Sequence, residues 1–325
     1  MTKKIFNLLT TLLLVFLISS CASTNVTKNI ASPEQISNKT TKAATIKKHK
    51  NSMFWEITGK DKNGLPSTIY VLGTIHVGDS RLYPVPDFIE SAYENADRIV
   101  GELSTDAWEV MTLATNKLKN DSEKREAERI KNTGKTLSDY LTEDEKNYLL
   151  NYVKSEDIIN KYEPWFLLSE LSEVPITLSG LDSTKSYDIY FIEKSIKDER
   201  NIEGLDTVQN QLDVLSYGDW NTQLLMLKDN INDLINDSEY AGNHIIDIYE
   251  TYLAADEKKL TKIINSNIKD NNTEYSKDYY NSIFVEKNKN WANKFETFLK
   301  DGGTTFVFAG CGHFIGEDSV FQFMK

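Results

Sequence analysis

Hydrophobic and polar positions divide the chain into an apolar leader, a polar linker and a long body in which short apolar runs alternate with helical patterns. The leader's apolar run extends from Leu8 to Ile18. Residues 22–50 are rich in Asn, Thr, Ser and Lys and poor in large apolar side chains, a composition that predicts a disordered tether. The pattern turns abruptly at Phe54-Trp55-Glu56-Ile57. Together with Asp61-Lys62-Asn63-Gly64 and Thr68-Ile69-Tyr70-Val71-Leu72 it predicts a β-hairpin, because aromatic and β-branched runs flank an Asn-Gly turn. Further short strands are predicted at Arg98-Ile99-Val100 and from Thr304 to Ala309. Helical spacing marks Leu137 to Val153, Pro164 to Leu171, Tyr187 to Ile196 and a series from Thr207 to Ile268. Gly218 and Gly242 are the only glycines between Gly204 and Gly302, which suits long helices with few tight turns. A short helix, Ser319 to Met324, closes the chain. The expected fold is α/β (α+β): a mixed central sheet with surrounding helices and a helical cap.

Lys3 and Lys4 precede the leader's apolar run, which is too short to span a membrane and reads as a signal peptide over residues 1–20. Leu17-Ile18-Ser19-Ser20-Cys21 resembles the lipobox of bacterial lipoproteins, so Cys21 is the expected site of lipidation, residues 21–50 the lipidated tether and 51–325 the folded domain. A plain secretory signal or an uncleaved anchor would export the body just as well. The expected location is the cell envelope, extracytoplasmic and lipid-anchored to a membrane. Lipidation of Cys21 would leave Cys311 as the only other cysteine, so no intrachain disulfide can form and the body must stand on its core.

Charge sharpens this division. Of the overall −12, the leader contributes +2 and residues 22–50 contribute +5, which leaves −19 on the body. So acidic a body repels phosphate backbones and argues against nucleic acid as a partner. The tether's lysines suit either an anionic membrane surface or a solvated spacer.

Two strand-like runs end in the same local pattern. Leu72 leads into Gly73-Thr74-Ile75-His76, and Phe308-Ala309 leads into Gly310-Cys311-Gly312-His313, with Gly316 three residues on. Glycine permits a tight turn and close backbone approach, which leaves the imidazole projecting at the end of the sheet. Glu102 follows a third strand in the same way. One Gly-x-x-His carries no information. Two of the chain's four histidines in matching strand-end contexts, with a carboxylate after another strand, suit a divalent metal with open positions for water. The bland reading is two hydrogen-bonded structural histidines. His244 lies on a predicted amphipathic helix and His49 in the tether, and neither is expected to be a ligand. Cys311 is expected to be a small buried thiol rather than a nucleophile, and Asp79 a turn former or helix cap.

Val71-Leu72-Gly73-Thr74-Ile75-His76-Val77, Val100-Gly101-Glu102-Leu103 and Phe308-Ala309-Gly310-Cys311-Gly312-His313-Phe314-Ile315-Gly316 resemble the TraB/GumN/Tiki family. The similarity continues through Lys161-Tyr162-Glu163-Pro164-Trp165, Gly180-Leu181-Asp182, Glu203-Gly204-Leu205-Asp206-Thr207 with Gln211, and so spans nearly the whole body. Two positions depart from the family pattern. Asp206 stands where glutamate is usual, and Glu286-Lys287-Asn288 followed by Trp291 stands where the family tends to have Glu-Arg-Asn. Lysine lacks the bidentate fork of arginine, which weakens any role of Lys287 in gripping a substrate carboxylate.

The resemblance implies a fold like that of the erythromycin esterase and ChaN-type proteins. For Tiki members it implies a metal-dependent peptidase supported by manganese or cobalt, and the TraB branch limits peptide pheromone activity. Carried onto this chain, it implies a membrane-anchored metal-dependent hydrolase, a peptidase acting on extracytoplasmic peptides or proteins. His76, Glu102 and His313 would hold the manganese, cobalt or zinc ion, with Glu102 alternatively the general base. Asp206, or less plausibly Asp79, would move a proton to the leaving amine. The competing reading is a lipoprotein that sequesters a peptide or ligand without cleaving it; a third is a small-ester hydrolase or haem-iron handler.

Overall fold

The computed structural model describes residues 39–40 and 44–324, residue 272 excepted. The leader, Cys21 and residues 22–38 of the tether lie outside the described residues. Seven strands form one mixed sheet: β1 (Lys39–Thr40), β2 (Ala44–Lys48), β3 (Phe54–Lys60), β4 (Pro66–Thr74), β5 (Arg98–Gly101), β6 (Ile202–Gly204) and β7 (Gly303–Gly310), in the spatial order β1-β2-β3-β4-β7-β5-β6. The first four are an antiparallel meander, and β4, β7, β5 and β6 run parallel.

The predicted hairpin forms at β3–β4. Gly64 takes the left-handed φ of +82° that its turn requires. The Asp61 carboxylate accepts hydrogen bonds from the backbone of Asn63 and Leu65, both at 2.8 Å. The tether boundary at residue 50 is corrected. Ala44–Lys48 pairs with β3, Ile46 is buried, and Lys48 bonds the carbonyl of Ala255 and the carboxylate of Glu257. His49 stacks on Phe88 and packs edge-on against Phe54. A run this short shows little hydrophobic signal of its own; cross-strand pairing makes it a strand.

Both faces of the sheet are covered. Register and period-two alternation put Phe54, Tyr70, Phe306 and Phe308 on one face, against Phe88, Tyr93 and Phe191 from helices Asp87–Glu94 and Tyr187–Lys197. Trp55, Val71 and Val307 occupy the other face, where Trp55 meets Phe314 and Phe321, and helix Lys287–Asp301 adds Trp291 and Phe295 around Phe314. Phe306, Val307, Phe308 and Ala309 are thus buried on both sides, as a central parallel strand demands.

The middle of the chain is helical as expected, with Pro164–Leu171 matching its predicted span. Leu137 to Val153 splits into a 3₁₀ turn, Leu137–Tyr140, and a helix, Glu143–Leu150, that Thr142 and Glu145 open as a capping box. Helix Thr105–Thr133 is unforeseen. Its buried positions include Thr115, Ser122 and Glu126, so its inward face carries polar side chains where a hydrophobic stripe would have betrayed it. Glu126 is fully buried and is satisfied by Arg129 and the indole of Trp220. These helices enclose a second core around Leu137, Leu167, Leu171, Leu227 and Ile231. Among the described residues no helix is long and apolar enough to cross a membrane.

Candidate active site

The carboxyl ends of β4, β7, β5 and β6 lie along one edge of the sheet, and β7, last in sequence, sits between β4 and β5. Strand order therefore reverses there, opening the crevice in which α/β sheets place their ligands. Thr74 pairs with Gly310 and Gly101 with Gly204, so His76, His313, Glu102 and Asp206 all follow immediately on neighbouring strand ends. Gly73 must stay bare: a Cβ there would lie 2.8 Å from the Cβ of Cys311 and 3.0 Å from the Trp55 ring. Gly310 faces the crevice, where a Cβ would sit 3.3 Å from both Glu102 Oε1 and His76 Nε2 and 3.7 Å from the His313 ring. Three predicted residues thus surround one point. Gly316 turns the chain with a φ of +81°.

Each of these side chains is anchored. His76 Nδ1 donates to Asp188 Oδ2 at 3.1 Å, and Thr74 Oγ1 donates to the other oxygen of Asp188 at 2.7 Å. His313 Nδ1 donates to Asn288 Oδ1 at 2.7 Å, and the Asn288 amide is oriented by donating to the carbonyl of Asp318 at 2.6 Å. Glu102 Oε1 accepts from the backbone N–H of Gly310 at 3.0 Å. Asp206 accepts from Trp291 Nε1 and from Gln211 Nε2, both at 3.0 Å, and pairs with Lys287 Nζ at 2.6 Å. The Gln211 amide also reaches Glu102, at 3.5 Å.

All six ionisable groups are only 3–7 % exposed, so their charges act through little water. Burial pushes His76 down, but the charge and hydrogen bond of Asp188, helped by Glu102, outweigh it and raise its pKa above 6.5. His313 goes the other way: burial, then the ammonium of Lys287 and the neighbouring His76, hold it well below 6.5, so it is neutral at pH 7. Burial pushes the Cys311 thiol up to about 12, which removes the thiolate a nucleophile needs. Asp79 caps the turn Ser80–Leu82 and pairs with Arg81. His244 lies on helix Ser238–Leu253 and contacts Asn267.

The donor set fits a divalent metal in kind. Two imidazoles have Nδ1 committed to oxygen acceptors, the orientation imposed on metal-binding histidines by their outer partners. Formal charge agrees: with both imidazoles neutral, as ligation requires, Asp188, Glu102 and Asp206 outnumber Lys287 by two. Spacing is looser, since among the described residues no three His, Cys, Asp or Glu side chains are gathered as a ligand set.

Asp188 and Asn288, which orient the two histidines, escaped sequence reasoning. Asp188 lies in the first turn of a helix with Tyr187, Ile189, Phe191 and Ile192 buried around it. A carboxylate on that inward face was its one visible signal. Asn288 lay inside the quoted Glu-Lys-Asn segment without a role.

An uncharacterized protein of Treponema pallidum (strain Nichols) is 28% identical over 284 residues, which cover 85% of this chain and 81% of the relative. No solved structure matches the chain. The model of the TraB/PrgY/gumN family matches residues 53–325, every strand end of the crevice included, and the chain belongs to that family.

Proposed function

We propose that the protein is a membrane-anchored, metal-dependent hydrolase that cleaves peptide bonds in extracytoplasmic peptides or proteins, with His76, Glu102 and His313 holding the ion. The observation that carries this reading is the pair of buried imidazoles at neighbouring strand ends, each with Nδ1 held by an oxygen acceptor and both facing Gly310 beside Glu102. When bound, a manganese, cobalt or zinc ion would supply Lewis acidity and an activated water at neutral pH. The chain's own residues do the rest. Asp188 and Asn288 fix both rings, and Glu102, held by the Gly310 N–H, completes the donor set. Lys287, fixed beside Asp206 and close enough to depress His313, offers a positive charge to an oxyanion forming on the substrate carbonyl.

The test uses the full chain in detergent, incubated with a peptide mixture with and without manganese, cobalt or zinc and analysed by mass spectrometry. Cleavage is expected only with metal, and not at all in His76→Ala or His313→Ala. Peptide binding without product under all three metals would instead establish a sequestering lipoprotein.

The anchor makes its own prediction. In cells, Cys21→Ala is expected to move the protein from the membrane fraction to the soluble one and to abolish labelling by palmitate. Retention in the membrane with no loss of label would overturn anchoring at Cys21.

A further inference from the structure

A cavity opens onto the two histidines, and its apolar wall has no part in the proposed chemistry. Its floor is His76, Cys311 and His313, and its wall consists of Ile248, Leu260, Ile263, Ile264, Ile268 and Phe284. Thr74 and Asn267 add polar side chains to the lining, the first engaged with Asp188 and the second with His244. Two short π-helical stretches, Asn265–Lys269 and Asn281–Glu286, carry Ile268 and Phe284 into the wall, and such irregular turns often mark functional sites. Gly312 holds the wall against the turn that bears His313. A Cβ there would lie 3.1 Å from the Phe284 ring and 3.2 Å from Ile264. Ile263 and Ile264 are only half-buried, so apolar surface is left facing the opening.

The free space is about 60 Å³. An apolar cavity of about 150 Å³ takes benzene, and one water needs about 10–15 Å³. This space therefore fits a branched aliphatic group and is too small for an aromatic ring or a lipid tail.

We infer that this cavity is a specificity subsite that receives a Leu, Ile or Val side chain of the peptide, next to the bond presented to His76 and His313. The inference rests on the hydrolase reading for the meaning of that bond, and on geometry for the pocket. Occupancy would desolvate the crevice edge and fix the peptide along it.

The test measures binding and cleavage separately. The full chain in lipid nanodiscs is titrated calorimetrically with hexapeptides that vary one position among Leu, Ile, Val, Ala, Phe, Asp and Lys, and with one dodecanoylated peptide, while cleavage is followed by mass spectrometry with manganese. Leu, Ile and Val peptides are expected to bind at least about tenfold tighter than Ala, Asp or Lys peptides, the discrimination an apolar pocket gives for missing methylenes. Ile263→Asp, at the half-buried rim, is expected to erase that preference, while Ile263→Val retains it. Aliphatic preference in binding without cleavage supports the subsite and sinks the hydrolase reading. Cleavage without aliphatic preference does the reverse, and binding of neither kind overturns both. Tighter binding of the Phe or dodecanoylated peptide overturns the size argument.

Discussion

Replacing Asp206 with alanine is expected to cost about 3–5 kcal/mol of folding stability, because it leaves an ammonium buried without its counter-charge. Lys287 and Asp206 meet at 2.6 Å with both side chains almost inaccessible to water. Trp291 Nε1 and Gln211 Nε2 also lose their acceptor. The Asp206→Ala/Lys287→Met double variant should recover a large part of the loss, since an apolar group of similar length costs far less to bury than a stranded charge. Urea denaturation of the three variants decides it. Losses that merely add would show that the pair is not coupled. A short acid here meets a slim base, and the contact closes at 2.6 Å.

On the proposed metal site, substituting Asp188 by asparagine should reduce metal affinity and any metal-dependent activity by about 10–100-fold, the usual penalty for losing the partner that orients a ligand histidine. An asparagine amide can donate to Nδ1, which would move the ring proton to Nε2 and block the nitrogen the ligand needs. The proton balance gives a second readout. In the wild type the His76 pKa is raised above 6.5, so the stability it contributes is fully present below 6.5 and lost as pH rises through the folded value. In Asp188→Asn burial dominates, and the His76 resonance should titrate at lower pH by NMR. His313 has the opposite sign: its pKa lies well below 6.5, so its contribution is complete above 6.5 and declines as pH falls from there. An unchanged His76 titration in Asp188→Asn would reject the account of its raised value.

The strand-end motifs were readable because glycine and histidine at the end of an apolar run leave a local trace. Glu102 was readable for the same reason. Their matching contexts also led to the expectation that they meet; what no local pattern encodes is the means, β7 inserting between β4 and β5 in a pairing across more than two hundred residues. Asp188 and Asn288 lie in helices whose periodicity speaks of packing, and their roles emerge only when the histidines arrive opposite them. Helix Thr105–Thr133 was missed because Glu126 is buried with Arg129 and Trp220, a polar interior that defeats a hydrophobic count. Helix Lys287–Asp301 was within reach: Trp291, Phe295, Phe298 and Leu299 recur at helical spacing on its buried face.

β7 ends only fifteen residues before the chain does, yet Phe306 and Phe308 supply the middle of the core and the turn after it supplies His313. A chain that emerges amino-terminus first can lay down the β2–β3–β4 meander, but β5 and β6 have nothing to pair β4 with until the last segment appears. Truncation ahead of Gly303 would therefore remove the centre of the sheet rather than trim its edge. Among the described strands, the one that joins the two halves of the sheet is the one that follows all the others in sequence.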